Sequence, residues 1–399
     1  MTVNPYGDPN GAQDGFPGSL FITGHDRMPY GELPNGSQVA EVAIPAPLIS
    51  SGVTSLPRAG FVQNFQNAAG GHFTRMDEIV RIGLLYLDSP ATGPKIHIAW
   101  GQHFEPEPSA PTHGWFSPSL AAPNFKGEWY LNGQSFYSVN DYLMEIPSAW
   151  ADAYAQGRVI GAGRFRDGGW SGMGPSLFAY RPWAENGTPL TNGARLETTP
   201  LLLYENSYNT ENIVHCLTGY QHPDDWNGGA WIESTSGQSA LMFAGTKSNG
   251  TKYWYGYANP AGTDLPCVDQ EITDFTTCRM ADGSACPPAD FRECAGHNDY
   301  RGWWSTHWDS QFLFYNPDDL ARVASGELAA WQPQPYAILD IDEHLFFNPT
   351  GIESDMLGAG VQRRYRIGDV AYDRVHNLLY ILELYADGAA PVVHVWRVP

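Results

Sequence analysis

The sequence predicts an all-β chain: a β-propeller of about five four-stranded blades, six or seven being compatible too, with long loops gathered on one face. Three observations predict it. Strand-like units recur from end to end, 43 Gly and 31 Pro punctuate them, and the last stretch shows the unit in its clearest form.

That stretch, RIGDVAYDRVHNLLYILELYADGAAPVVHVWRVP at 366–399, reads as strands at 366–373, 378–385 and 392–398. Runs of Ile, Val, Leu and Tyr bounded by Asp, Asn, Gly and Pro are the strand signature. A three-stranded meander cannot bury both of its faces alone, so it must stack on copies of itself or on another sheet. Copies follow at 18–24 with 38–45, at 79–87 with 95–101, and at 229–234 with 239–245. Segments 137–147, 311–317 and 38–45 each end an apolar strand with Pro, and a linker then leads to strands at 158–165, 334–341 and 59–65. Two of these linkers, SAWADAYAQG and DDLARVASGEL, read as short helices. The unit is therefore four strands, A to D, with an excursion between C and D, repeated as in a propeller.

Inner strands are expected to begin near Ile79, Gly174, Gly229, Gln311 and Arg366. The third blade, at 174–207, is the least defined, with only GPSLFAY and TPLLLYE to mark it. A jelly roll or a pair of sandwiches is the competing arrangement. The propeller reading makes residues 1–399 one domain, with a long Cys-containing insertion at 246–309. The first unit lacks an inner strand and the last lacks an outer one. The N-terminal region is therefore expected to join 392–398 in one sheet, with strands from both termini closing the ring.

Composition narrows the partners. A formal net charge of −21, from 43 acidic against 22 basic residues, argues against nucleic acid or an anionic membrane surface, both of which need a basic face. No apolar run reaches the length of a membrane span, and the polar, Gly/Pro-rich start does not read as a signal peptide. Cys267, Cys278, Cys286 and Cys294 crowd one loop, while Cys216 stands apart. Their spacing, C-x10-C-x7-C-x7-C, lacks the close pairs of a thiolate zinc site. Two disulfides stapling a loop without a core fit better than a metal site or free thiols, and they imply an oxidising, extracellular location. Cys216 is expected to be unpaired and buried.

In an up-and-down ring the B–C and D–A connections share one face. Here they are the long ones, and they hold nine of the twelve histidines, more than their share of the chain. Long loops in a compact domain are where function concentrates. Single loops combine His, Trp, Arg and carboxylates: GQHFEPEPSAPTHGW, RFRDGGW, YQHPDDW and GHNDYRGWWSTHWD. Aromatic faces stack on sugar rings, Arg and carboxylates bind hydroxyl and acid groups, and His moves protons near neutrality. The expected site therefore gathers His72, His222, His307 and Asp167 as catalytic groups. Arg75, Trp170, Arg301, Trp303 and Arg364 are the expected binding groups around one central cavity. Each has a plainer reading: Trp303, Trp304 and Trp308 suit covering the blade packing, Asp224 and Asp225 suit a turn, and Arg364 suits an ion pair with Asp167. No resident metal ligand set stands out, although Asp340, Asp342 and Glu343 are compatible with a structural calcium ion.

The stretch GRFRDGGWSGMGPSLFAY and the ending VAYD…LLYILELYAD…VVHVW resemble bacterial extracellular β-propeller proteins. In architecture the chain resembles the carbohydrate-active propellers, both hydrolases and lyases. That resemblance implies a secreted protein acting on a polysaccharide or oligosaccharide. A lyase would use a His or Tyr base with Arg and a cation against the substrate's carboxylate. A hydrolase would use two carboxylates, drawn from Asp77, Asp167, Asp225 and Asp309. The alternative is a non-catalytic propeller binding a glycan or another protein.

Overall fold

The computed structural model describes residues 1–24, 38–75, 79–102, 110–134, 138–164, 172–184, 186–206, 214–221, 224–249, 307–347, 367–388 and 390–399, with residue pairs at 252–253, 268–269, 276–277 and 304–305. Blade one is β1 (Thr2–Asn4), β2 (Ser19–Thr23), β3 (Val39–Ala43) and β4 (Phe61–Gln66), with a one-turn helix α1 (Gly11–Asp14) after β1. Blade two is β5 (Ile79–Ser89), β6 (Gly93–Gln102), β7 (His113–Phe116) and β8 (Lys126–Leu131). Blade three is β9 (Leu143–Glu145), β10 (Ile160–Ala162) and β11 (Ser176–Tyr180), completed by β13 (Thr198–Leu203). Helix α2 (Ser148–Tyr154) joins its first two strands, and β12 (Arg195–Leu196) pairs in parallel with β8 of blade two.

Blade four opens with β14 (Asp225–Glu233) and β15 (Ser239–Ser248). Two short ribbons follow, β16 (Lys252–Tyr253) with β19 (Trp304–Ser305) and β17 (Val268–Asp269) with β18 (Thr276–Thr277). The blade closes with β20 (Trp308–Tyr315), helix α3 (Pro317–Ala324) and β21 (Ala337–Asp340). Blade five is β22 (Ile367–Asp373), β23 (Leu378–Asp387) and β24 (Ala390–Arg397). Together these antiparallel sheets form a five-bladed β-propeller.

The core is divided into five clusters, one for each interface between neighbouring blades. On β5, Leu84 enters the cluster shared with blade one and Leu85 the cluster shared with blade three. Successive strand residues point to opposite faces, and here both faces are covered. That explains why these strands read as continuous apolar runs rather than as strict alternation. Each fully buried Leu of this kind contributes roughly 1.5–3 kcal/mol. Tight turns have local causes too. At the β22–β23 turn Asp373 Oδ1 accepts from the amides of Val375 and His376, and Asn377 takes the left-handed conformation at φ 54°.

Three expectations are corrected. Gly174 and Gln311 do not mark inner strands, since β11 and β20 are the third strands of blades three and four. The segment around 137–147 and the strand after it open blade three as β9 and β10, rather than closing blade two, so α2 lies between A and B. The strands that do close blade two, HGWF and KGEWYL, are short and Gly-interrupted, so they had read as loop. Helix α3 does sit between C and D, capped by the Asn316 side chain on the Asp318 amide at 3.0 Å. Nor do the termini share a sheet. Thr2–Asn4 is the inner strand of blade one, paired with β2, and β24 pairs with β23. The first and last blades meet face to face instead, where Met1, Val3 and Leu20 pack with Ala371, Leu378 and Tyr380. The Met1 amino group is also ion-paired with Asp369.

Candidate functional site

The two-strand shift in blade three leaves the loop faces unchanged, because a loop's face depends only on whether its strand number is odd or even. On the B–C/D–A face, the ends of the blade-four strands bring charged side chains into a row. Antiparallel register places Lys247 opposite Asp309 and Gln311 opposite Asp340.

The inner part of the row is Asp224, which is fully buried. Its Oδ1 accepts from Lys247 Nζ and from the Ser248 amide, each at 2.9 Å, and its Oδ2 accepts from the Gln221 amide at 3.1 Å. Burial pushes this carboxyl up to about 6, while the Lys247 ammonium and the amides pull against that rise. Ser248 Oγ donates to Gln221 Oε1 at 2.7 Å. The inner part is thus a saturated anchor for the start of β14.

The outer part has the chemistry. His307 and Asp309 flank the buried Trp308 at the head of β20, so their side chains fall on one side of the strand. His307 Nε2 lies 2.6 Å from Asp309 Oδ1, and Asn249 Nδ2 donates to Asp309 Oδ2 at 3.0 Å. The Asn249 amide also donates to the His307 carbonyl at 2.9 Å, which ties the end of β15 to the head of β20. The His307 side chain is 40% exposed and that of Asp309 only 10%. A protected carboxylate orienting an accessible imidazole is the arrangement of a general base and its positioning partner.

Beside this pair, one carboxylate oxygen each from Asp309, Asp340 and Asp342 lie within 4.8 Å of one another. Backbone amides hold two of these: Ser310 N–H donates to Asp342 Oδ1 at 2.8 Å, and Asp342 N–H donates to Asp340 Oδ1 at 2.9 Å. Each pair of ionised carboxylates at that range repels by about 1 kcal/mol in water and several-fold more in a less polar setting. Three hard oxygen donors at this spacing are the residues that could hold a divalent cation such as calcium.

No family model and no curated protein matches the chain. The side chains themselves carry the functional reading.

Of the site residues read from the sequence, His307 lies in this row. His72 lies elsewhere, buried between blades one and two, with Nδ1 3.1 Å from Glu128 and its ring 4.8 Å from Trp100 and 6.1 Å from Phe125. Arg75 ends the 3-10 turn that begins at His72. Asp167, Trp170, His222, Arg301, Trp303 and Arg364, like the four clustered cysteines, lie outside the described residues. The described row sits on the outer strands of blade four, whereas the sequence pointed to the central axis. Lys247 and Asn249 were missed. The signal that could have found them is the pairing of FAGTKSNG with HWDSQF, two segments of blade four whose ends meet.

Proposed function

We propose that this chain is a secreted propeller that acts on an extracellular polysaccharide at the rim of blade four, with His307 as the proton-transferring group. The 2.6 Å contact between Asp309 and an exposed His307 carries the reading. Asp309 accepts from His307 Nε2–H, holds the ring in one orientation and stabilises the imidazolium that forms when Nδ1 takes a proton. The adjacent Asp309, Asp340 and Asp342 oxygens favour the lyase form of the reaction. There a base removes the proton beside a uronic acid carboxylate, and a divalent cation held by Asp309, Asp340 and Asp342 would offset the negative charge that develops. Such a cation would also reconcile an anionic substrate with a chain of net charge −21. Secretion rests on the clustered cysteines and their expected disulfides.

The test is incubation with a panel of neutral and acidic polysaccharides, with and without calcium, read for unsaturated ultraviolet-absorbing products and for reducing ends. Unsaturated ends that vanish in His307→Ala support the lyase, and reducing ends alone support a hydrolase. Saturable binding without product would make the propeller a glycan-binding module.

A further inference from the structure

Among the described residues blade five has three strands, where each of the other blades has at least four. Its outer strand, the eight-residue β24, therefore presents a backbone edge. The Val398 amide donates to the Asn377 carbonyl at 2.9 Å, continuing the register that pairs Leu378 with Arg397. Bonded and non-bonded pairs alternate along an antiparallel ladder. Val392, His394 and Trp396 therefore bond to β23, and the N–H and C=O groups of Val393, Val395 and Arg397 point outward. Among the described residues no backbone group meets them.

Apolar side chains flank the space beside β24 on both sides, with the His344 ring also 5.3 Å from Trp396 on the side of blade four. On blade four, Phe312 lies 5.6 Å from Trp396 ring to ring, and its partner one strand further out is Leu339. On blade one, Val42 shares a cluster with Val393 and Val395, and its partner one strand further out is Phe61. Residues directly opposite in a sheet share a face, so Leu339 and Phe61 flank the position of a fourth strand from its two sides. They are 43% and 59% exposed, while Phe312 and Val42 are buried.

We propose that this slot takes an extended segment of a partner protein, about eight residues long, adding antiparallel to β24 as the fourth strand of blade five. The slot is one strand wide. A second copy of the chain would bring its own third strands, packed about 10 Å from its β24, into the space held by β4 and β21. The residues after β24 lead away from the slot, since the Pro399 main-chain oxygen accepts from the Thr235 amide at 2.7 Å in the inner hairpin turn of blade four. With a net charge of −21, the surface favours a segment with basic flanks and β-branched side chains on both faces.

The probe is a labelled peptide of eight alternating Val and Thr residues between paired lysines, followed by fluorescence anisotropy and by amide hydrogen exchange of the whole chain. The amides of Val393, Val395 and Arg397 should exchange fast in the free protein and slow when the peptide binds saturably. Val395→Pro removes one outward N–H without touching the inner ladder, and should weaken binding at least tenfold with exchange elsewhere unchanged. Leu339→Lys, on an exposed wall, should also weaken binding and serves where the proline variant does not fold. The proposal is overturned by slow exchange of those amides in the free protein, which would mean that the chain fills its own slot. It also fails if the peptide does not bind, if binding is indifferent to both variants, or if light scattering shows a dimer that the peptide does not disrupt.

Discussion

The imidazole of His307 and the carboxylate of Asp309 lie 2.6 Å apart across Trp308, whose indole is buried in the opposite direction. This geometry separates catalysis from stability. His307→Ala should abolish turnover and leave the melting temperature within a few degrees, because the ring is substantially exposed. Asp309→Asn keeps the shape but frees the ring orientation and removes one of the three carboxylates facing the cation position, and should lower kcat by about 10²–10⁴ and raise KM. Unaltered kcat in both variants would remove His307 from the reaction.

Acid should unfold the ring at the interface of blades two and three. His97 and His113 are fully buried there, with both ring nitrogens of His97 and Nε2 of His113 lacking a hydrogen-bond partner. Each is lowered to about 3, His113 by burial and His97 by burial together with the charges of Lys95 and His113. The unfolded imidazole titrates near 6.5, so the neutral-state stability is fully present above 6.5 and is lost as pH falls toward 3. Each histidine contributes about 1.4 kcal/mol per pH unit in that window. Asp224 acts in the opposite sense between about 6 and 3.8, since its carboxyl gains a proton more readily folded than unfolded. The net loss is about 1.4 kcal/mol per unit in that range, measurable as urea midpoints at pH 7 and pH 4.5. A His97→Leu, His113→Leu double variant should reverse the slope between about pH 6 and 3.8, leaving only the opposite contribution of Asp224, and an unchanged slope would show that the acid sensitivity arises elsewhere.

Gly83 on β5 is irreplaceable for a steric reason. A Cβ there would lie 1.8 Å from the Asp141 carbonyl oxygen, backbone against backbone where the inner strands of blades two and three converge. Gly83→Ala should cost about 3 kcal/mol or more. Gly52→Ala, at φ −147° with nothing within 4 Å of its Cβ, should be neutral or slightly stabilising. Equal midpoints for the two variants in chemical denaturation would refute the close approach.

Cys216 is a free thiol, half-buried against the cluster between blades three and four, and burial raises its pKa. Native alkylation with intact mass measurement should label one cysteine of five, slowly, if Cys267, Cys278, Cys286 and Cys294 form two disulfides. Five labelled thiols in the unreduced protein would remove the main support for secretion.

Much of the fold was legible because a blade strand buried on both faces writes itself as a long apolar run. The hairpins at 79–102, 225–248 and 367–387 were readable for that reason, as were their Asp, Asn and Gly turns. Strands of three or four residues carry too few side chains for a periodic signal, so β1, β7 and β9 were missed or assigned to the wrong blade. The parity of the strand count survived that error, and with it the assignment of each loop to one or the other face.

The sequence by itself determined the strand rhythm, the all-β class, the acidic surface and which loops were long enough to carry chemistry, because these are local or additive properties of the chain. Only the tertiary structure decided that His72 meets its carboxylate, Glu128, in a buried setting while His307 meets Asp309 at an exposed one, that Asp309 gathers Asp340 from the next strand and Asp342 from the turn after it, and that the ring closes by packed faces. Each of these depends on register and on which blade lies beside which, and such contacts between residues distant in sequence leave no periodic trace in it.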